Sequence, residues 1–264
     1  MFEIQSDEGL PIRVDFDAPR DPRALVIAVH GFKGFKDWGF FPFVAATLCD
    51  HGFAVCRFNM SRSGIGENPE AFDRLDLFAD DTYSIQLADL RKAVAFAQSR
   101  FAGLPTFLLG HSRGGGVALL GARDVEGLAG VVTWSAISHA NRWDDATLRA
   151  WRRDGWLDVI NARTNQNMRM STAIVDDFEA RREQLDVLRA AERLQTPLLV
   201  IHGARDESVP AAEAGETARR ANDASLMIIE DASHTYNAIH PLVNVPFALS
   251  LATQVTAHFV RAYA

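Results

Sequence analysis

The chain is short of lysine, of thiols and of long apolar runs, and each shortage removes a class of function. Lysine occurs only at Lys33, Lys36 and Lys92, and 34 acidic residues outnumber 27 basic ones for a formal charge of −7. A nucleic-acid face needs clustered positive charge, so no nucleic-acid partner is expected. Cys49 and Cys56 are the two cysteines. They are too few for a disulfide framework or a four-ligand metal site and read as buried thiols of a reducing compartment. No apolar run approaches the length of a bilayer span, and Met1-Phe2-Glu3-Ile4 lacks a basic and then apolar leader. A soluble cytoplasmic protein with no membrane partner is the expectation. There is no His-x-x-x-His, no Cys/His ligand set, no Gly-x-Gly-x-x-Gly, and no Lys-Ser/Thr pair behind a glycine-rich loop. Neither a metal nor another cofactor is expected.

What is present reads as one α/β domain, since 264 residues suffice for a covered core. Phe2–Gln5 and Ile12–Phe16 alternate around a Gly-Leu-Pro turn and predict an opening antiparallel hairpin. Ala24–His30 is a continuous apolar run, as in a strand buried on both faces, and Phe53–Phe58, Leu128–Trp134 and Pro197–His202 read as further strands. Between and beyond them, Phe41–His51, Thr82–Arg100, Ala211–Ala221 and Pro246–Ala262 have helical spacing, and Ser225–Glu230 reads as a further strand. Strand and helix in alternation predict a mostly parallel sheet wrapped on both faces. Residues 138–194 break the pattern. This stretch is polar, without clear strand signals, and balances ten arginines, Arg163 among them, with ten acids between Asn141 and Arg193. It is read as a helical cap inserted between core segments 1–137 and 195–264.

The centre of the chain is Pro105-Thr106-Phe107-Leu108-Leu109-Gly110-His111-Ser112-Arg113-Gly114-Gly115-Gly116. A strand-type run enters Gly-x-Ser-x-Gly and a helix-compatible stretch leaves it, which is the setting of a nucleophile elbow. The glycines let strand and helix approach closely. The Arg113 N–H falls in the first helical turn, where free amides favour negative charge, so it can donate into an oxyanion hole.

A serine hydroxyl needs a base, and the base needs an orienting acid. Two later strands end in His202-Gly203-Ala204-Arg205-Asp206-Glu207-Ser208-Val209-Pro210 and Asp231-Ala232-Ser233-His234. Loops at the carboxyl ends of parallel strands are where such sheets carry their sites. With His30-Gly31-Phe32 after the first buried strand, these motifs occur in the order Ser, Asp, His.

The set resembles the serine hydrolases of the α/β-hydrolase superfamily, in particular bacterial cinnamoyl- and feruloyl-esterase-like, dienelactone-hydrolase-like and serine-aminopeptidase-like proteins. The resemblance covers nearly the whole chain except the cap. It implies an α/β-hydrolase fold, with Ser112 as nucleophile, His234 as general base and acid, Asp206 as its orienting partner, and the Phe32 and Arg113 amides as oxyanion hole. Dienelactone hydrolases use a cysteine where this chain has Ser112, and relatives often have Asp where Asn59 stands.

Rivals exist for each role. Asp231 lies three residues before His234 and competes with Asp206 as the acid; Glu207 is adjacent; His202 reads as a packing residue beneath the acid loop, and His111 as packing within the elbow. The reaction implied is hydrolysis of small to medium acyl or aryl carboxylic esters through an acyl-enzyme. The partner is then a small-molecule ester, and the oligomeric state is left open. Trp38 and Trp143, with Phe32 and Phe35, are candidate pocket residues. Peptidase or aminopeptidase action, thioesterase action, and a silent binding protein on the same fold are the alternatives.

Overall fold

The computed structural model describes residues 1–69, 71–161 and 164–264; Arg163, counted above in the cap, lies outside them. In chain order the core begins with strands β1 (Phe2–Gln5), β2 (Pro11–Asp17) and β3 (Leu25–Val29), helix α1 (Phe41–Asp50) and strand β4 (Ala54–Phe58). A short helix α2 (Leu75–Ala79) and the long α3 (Tyr83–Arg100) precede β5 (Thr106–His111), α4 (Arg113–Gly121) and β6 (Leu128–Trp134). The segment after β6 carries α5 (Asp145–Asp154), β7 (Trp156–Asn161), β8 (Gln166–Ser171), α6 (Ala173–Ala180) and α7 (Val187–Arg193). The core resumes with β9 (Leu198–Gly203), α8 (Ala211–Arg220), β10 (Ala224–Ile229) and α9 (Phe247–Tyr263).

Eight strands form one sheet in the order β1-β2-β4-β3-β5-β6-β9-β10. β1 and β2 pair antiparallel, β2 joins β4 antiparallel, and the remaining pairs are parallel. β3, β4, β5 and β9 are buried along their whole length. That is why they are mostly apolar rather than alternating, with Arg57 of β4 a buried exception. One face of the sheet packs residues of α3, α4 and α8. The other packs α1 and α9. The α3 start is set by Thr82, whose hydroxyl accepts from the Ile85 amide at 3.3 Å.

Between β6 and β9 the expected helices are present, but so is a two-stranded antiparallel hairpin that the helical reading missed. Gly155, at φ 81°, ends α5, and β7 then pairs with β8 so that Leu157 faces Met170 and Val159 faces Met168. The inward positions Leu157, Val159, Met168 and Met170 are apolar, and Asn161 is buried at the end of the same face. The outward ones include Trp156 and Ile160, both about half exposed, which hides the period-two signal. The buried residues of this segment, Trp151, Met168, Met170, Ile174 and Phe178, join the same apolar cluster as β3, β5 and α4.

Where β3, β5 and α4 meet, the backbones leave no room for side chains. A Cβ on Gly110 would overlap the Gly114 carbonyl, and one on Gly114 would overlap the carbonyls of Val29 and His30. Strand and helix therefore touch backbone to backbone, and Ser112 between them is held at φ 56° and ψ −123°. Gly114→Ala is expected to lose more than about 3 kcal/mol of stability in urea denaturation. Gly215→Ala in α8, whose new methyl would meet only Arg219 Nη1 at 3.3 Å, is expected to gain roughly 0.5–1 kcal/mol from helix propensity.

Candidate active site

Four loops leave the carboxyl ends of β3, β5, β9 and β10 and converge on Ser112. The Ser112 amide donates to Trp134 O at 2.9 Å, while its carbonyl accepts from Gly115, Gly116 and Ile137. The serine backbone is thus fixed from both sides in a conformation that side chains rarely adopt. A pocket of about 230 Å³ opens over it, lined by Gly31, Phe32, Trp38, Phe41, Ser112 and His234 and closed on one side by Asn161 of β7. Lys33, Gly34, His111 and Thr235 complete the lining.

Asp206 is surrounded by donors. Its Oδ1 accepts from the amides of Ser208 at 2.9 Å and Val209 at 2.8 Å. His234 Nδ1 lies 2.9 and 2.8 Å from its two oxygens, and His202 Nε2 is 3.1 Å from Oδ2. Burial raises this carboxyl, but the hydrogen bonds from His202 and His234, with the Val209 amide, outweigh it and hold Asp206 well below the usual carboxylate range. An ionised carboxylate only accepts, so His234 Nδ1 carries the proton and Nε2 is left as a lone pair.

The neighbouring histidines are held as rigidly. His202 is fully buried, and its Nε2 faces two acceptors, Asp206 and the Val209 carbonyl at 2.9 Å. His111 donates from Nε2 to the His234 carbonyl at 2.9 Å and packs edge-on to Phe40. His30 accepts the Met60 amide on Nε2 at 3.1 Å and donates from Nδ1 to Gly31 O at 3.0 Å, which fixes the turn into Phe32. Burial drives the His30 imidazole down to about 4; burial and the neighbouring His234 drive His111 to about 3.

The rival acids stand elsewhere. Asp231 is about three-quarters exposed and pairs with Arg205 at 2.7 Å. Among the described residues Glu207 accepts the His234 amide alone, at 3.3 Å. The amides of Phe32 and Arg113 have no acceptor among the described residues. The Arg113 guanidinium is buried 4.0 Å from the centre of the Phe32 ring, with Asp81 Oδ2 3.9 Å away. Burial raises the Asp81 carboxyl to about 7 against the pull of Arg113.

Ser112, His234, Phe32 and Trp38 are therefore brought to one pocket with Asp206 directly behind His234. Trp143 is not brought there. It packs edge-on to Trp151 at 5.0 Å and stacks on Phe178, against the apolar cluster that this segment shares with the sheet. Phe35 is likewise buried, against Phe72 and His240. Sequence reasoning missed Phe41, Lys33, Asn161 and Thr235. Lys33 carried a signal, as one of three lysines and set between the loop glycines; Asn161 sits on the hairpin that was not foreseen.

A model of the serine aminopeptidase family, S33, matches residues 20–154, just over half of the chain. The chain belongs to that family. Membership places it among the hydrolases of the α/β-hydrolase superfamily, and solved structures agree on the fold. Est1E from Butyrivibrio proteoclasticus, in a structure with ferulic acid bound, superposes with a TM-score of 0.77 at 21% identity, covering 100% of this chain and 99% of that one. A dienelactone hydrolase from Anabaena variabilis gives a TM-score of 0.66 at 18% identity, covering 99% and 96%. Among characterised sequences, 2,6-dihydropseudooxynicotine hydrolase of Paenarthrobacter nicotinovorans is 26% identical over 203 residues, which is 76% of this chain. The chain spans about half the length of that relative, 49%. This S33 chain has no group of three or more His, Cys, Asp or Glu placed to hold a metal among its described residues. No helix among them is long and apolar enough to cross a membrane.

The two buried neutral imidazoles make the fold acid-sensitive. Between pH 6.5 and about 4 the unfolded chain binds protons at His30 and His111 that the folded chain refuses. Their contribution to stability is therefore complete above pH 6.5 and declines as pH falls. Replacing His111 with Gln is expected to flatten the pH dependence of unfolding free energy between pH 6 and 5 by roughly 1 kcal/mol per pH unit, measured by urea titrations at each pH.

Proposed function

We propose that the protein is a serine carboxylesterase acting on small to medium acyl or aryl esters through an acyl-enzyme. The observation that carries this is the contact of His234 Nδ1 with Asp206 at 2.8 Å, with His234 and Ser112 lining the same pocket. Ser112 Oγ attacks the ester carbonyl while His234 Nε2 takes its proton. The Phe32 and Arg113 amides receive the oxyanion, and one such donor contributes roughly 3–4 kcal/mol in a comparable hydrolase. His234 returns the proton to the departing alcohol, and water then releases the acid by the reverse sequence. Asp206 holds the imidazole in the required tautomer and stabilises its cation. The segment 138–194 serves as the cover of the site, contributing Asn161 to its wall.

Pocket size supports the substrate class. About 230 Å³ accommodates roughly eight water-sized groups, which suits a short acyl or single aryl group. Phe32, Trp38 and Phe41 give that space an aromatic wall. An aminopeptidase reading is less favoured, although the family bears that name. Such an enzyme needs an acidic group for the substrate ammonium, and among the described residues no Asp or Glu lines the pocket.

Wild-type protein is expected to hydrolyse p-nitrophenyl acetate and butyrate and to react with a fluorophosphonate probe at Ser112. Ser112→Ala should abolish labelling, and both Ser112→Ala and Asp206→Asn should lower kcat by roughly a thousandfold or more. Equal turnover in Ser112→Ala would refute the assignment. A panel of esters from two to sixteen carbons is expected to peak at the short end.

A further inference from the structure

One full positive charge lines the pocket, and no acidic side chain among the described residues balances it there. That charge is Lys33. The chain's other two lysines are committed: Lys36 is buried between Asp15 and Asp37, and Lys92 pairs with Asp7 at 2.9 Å. Lys33 has no carboxylate within ion-pair reach among the described residues. Its Nζ donates one hydrogen bond, to the Ile160 carbonyl of β7 at 3.2 Å, and lies 5.6 Å from the centre of the Phe32 ring. An ammonium has three N–H donors, so two have no acceptor among the described residues.

The backbone adds a second observation. Lys33 sits at φ 55°, a conformation in which glycine costs nothing and a long side chain costs free energy. Gly31 and Gly34 flank it in the same loop. The loop thus holds a lysine at the position where its geometry most favours glycine. The Ile160 carbonyl tethers the ammonium at the rim of the pocket, beside the aromatic wall. Burial and the nearby Arg113 both hold the Lys33 amine below the usual lysine range, and an anion bound beside it would relieve that pressure.

We propose that Lys33 is an anion-binding subsite of the Ser112 pocket, and that the preferred ester carries a carboxylate a few atoms from its scissile carbonyl. The proposal rests on the esterase reading above and narrows it to acidic half-esters. The carboxylate would accept from the two unused N–H groups of Lys33, while the intervening carbons lie against Phe32, Trp38 and Phe41. Binding energy gained at this end, away from the reacting bond, can orient the carbonyl toward Ser112.

The test compares matched pairs of methyl esters, followed by acid release: methyl pentanoate with monomethyl glutarate, and methyl benzoate with monomethyl terephthalate. Wild type is expected to favour the charged member of each pair by about tenfold in kcat/KM, the scale of one charge-assisted hydrogen bond at a half-exposed site. The preference should shrink as salt rises from 20 to 500 mM. Lys33→Met should collapse the charged-to-neutral ratio, Lys33→Arg should retain most of it, and Lys92→Met, a surface change on α3, should leave it as in wild type. An equal or lower kcat/KM for the charged members in wild type, with hydrolysis still lost in Ser112→Ala, overturns the anion subsite and leaves the esterase reading intact. An unchanged ratio in Lys33→Met does the same. Hydrolysis that persists in Ser112→Ala overturns both.

Discussion

The whole site depends on a steric constraint: at the ends of β3 and β5 and the start of α4, three backbones meet with no room for a side-chain carbon. Gly110 and Gly114 make that approach possible, and a Cβ at Gly31 would lie only 3.0 Å from the His111 carbonyl and Ser112 Cβ. Because the strand must turn into the helix within one residue, Ser112 takes the left-handed conformation that projects its hydroxyl clear of the sheet. The same closeness brings the Phe32 loop beside the first turn of α4. The amides of Phe32 and Arg113, from different parts of the chain, both lack an acceptor among the described residues. The side chain of Arg113 packs on the ring of Phe32, so the two donors are also tied to each other through a buried contact.

Around that constraint the polar groups are arranged to remove choices. His30, His111, His202 and His234 each have a ring nitrogen against an oxygen acceptor, which assigns their tautomers. The carboxylate of Asp206 takes hydrogen bonds from two backbone amides and two imidazoles, so its charge is stabilised before any substrate arrives. Tyr236 extends the frame beneath the His234 loop, donating to the Ile201 carbonyl at 3.0 Å from a fully buried ring. Preorganised dipoles of this kind do not have to reorient as charge develops.

Much of this was legible in the sequence, and the reasons for the gaps are physical. The central parallel strands are legible because burial on both faces leaves them mostly apolar, with Arg57, Thr106 and Thr133 as buried exceptions. The loops after β5, β9 and β10 carried their Gly-x-Ser-x-Gly, His-Gly-x-x-Asp and Ser-His signals at strand ends, where topology puts them on one edge. Asp231 and Asp206 could not be separated by spacing alone; exposure and the pairing with Arg205 separate them in space. The hairpin of β7 and β8 was hidden because Trp156 and Ile160 sit on its outer face and erase the alternation. That Trp143 lies away from the pocket lining was not legible for a related reason: a tryptophan beside a site and one packed against the core look alike in one dimension. Phe41 went unnoticed because it also serves as the first residue of α1.

The segment between β6 and β9 shares its apolar interior with the sheet. Trp151, Met168, Met170 and Phe178 are buried in common with residues of β3, β5 and α4. Swinging the insert away as a rigid flap would wet all of them together, at a cost of roughly 1.5–3 kcal/mol for each large side chain. Asn161 and the Lys33–Ile160 hydrogen bond add a polar seam at the pocket margin, so this segment is joined to the rest of the fold both through its apolar interior and at the edge of the Ser112 pocket.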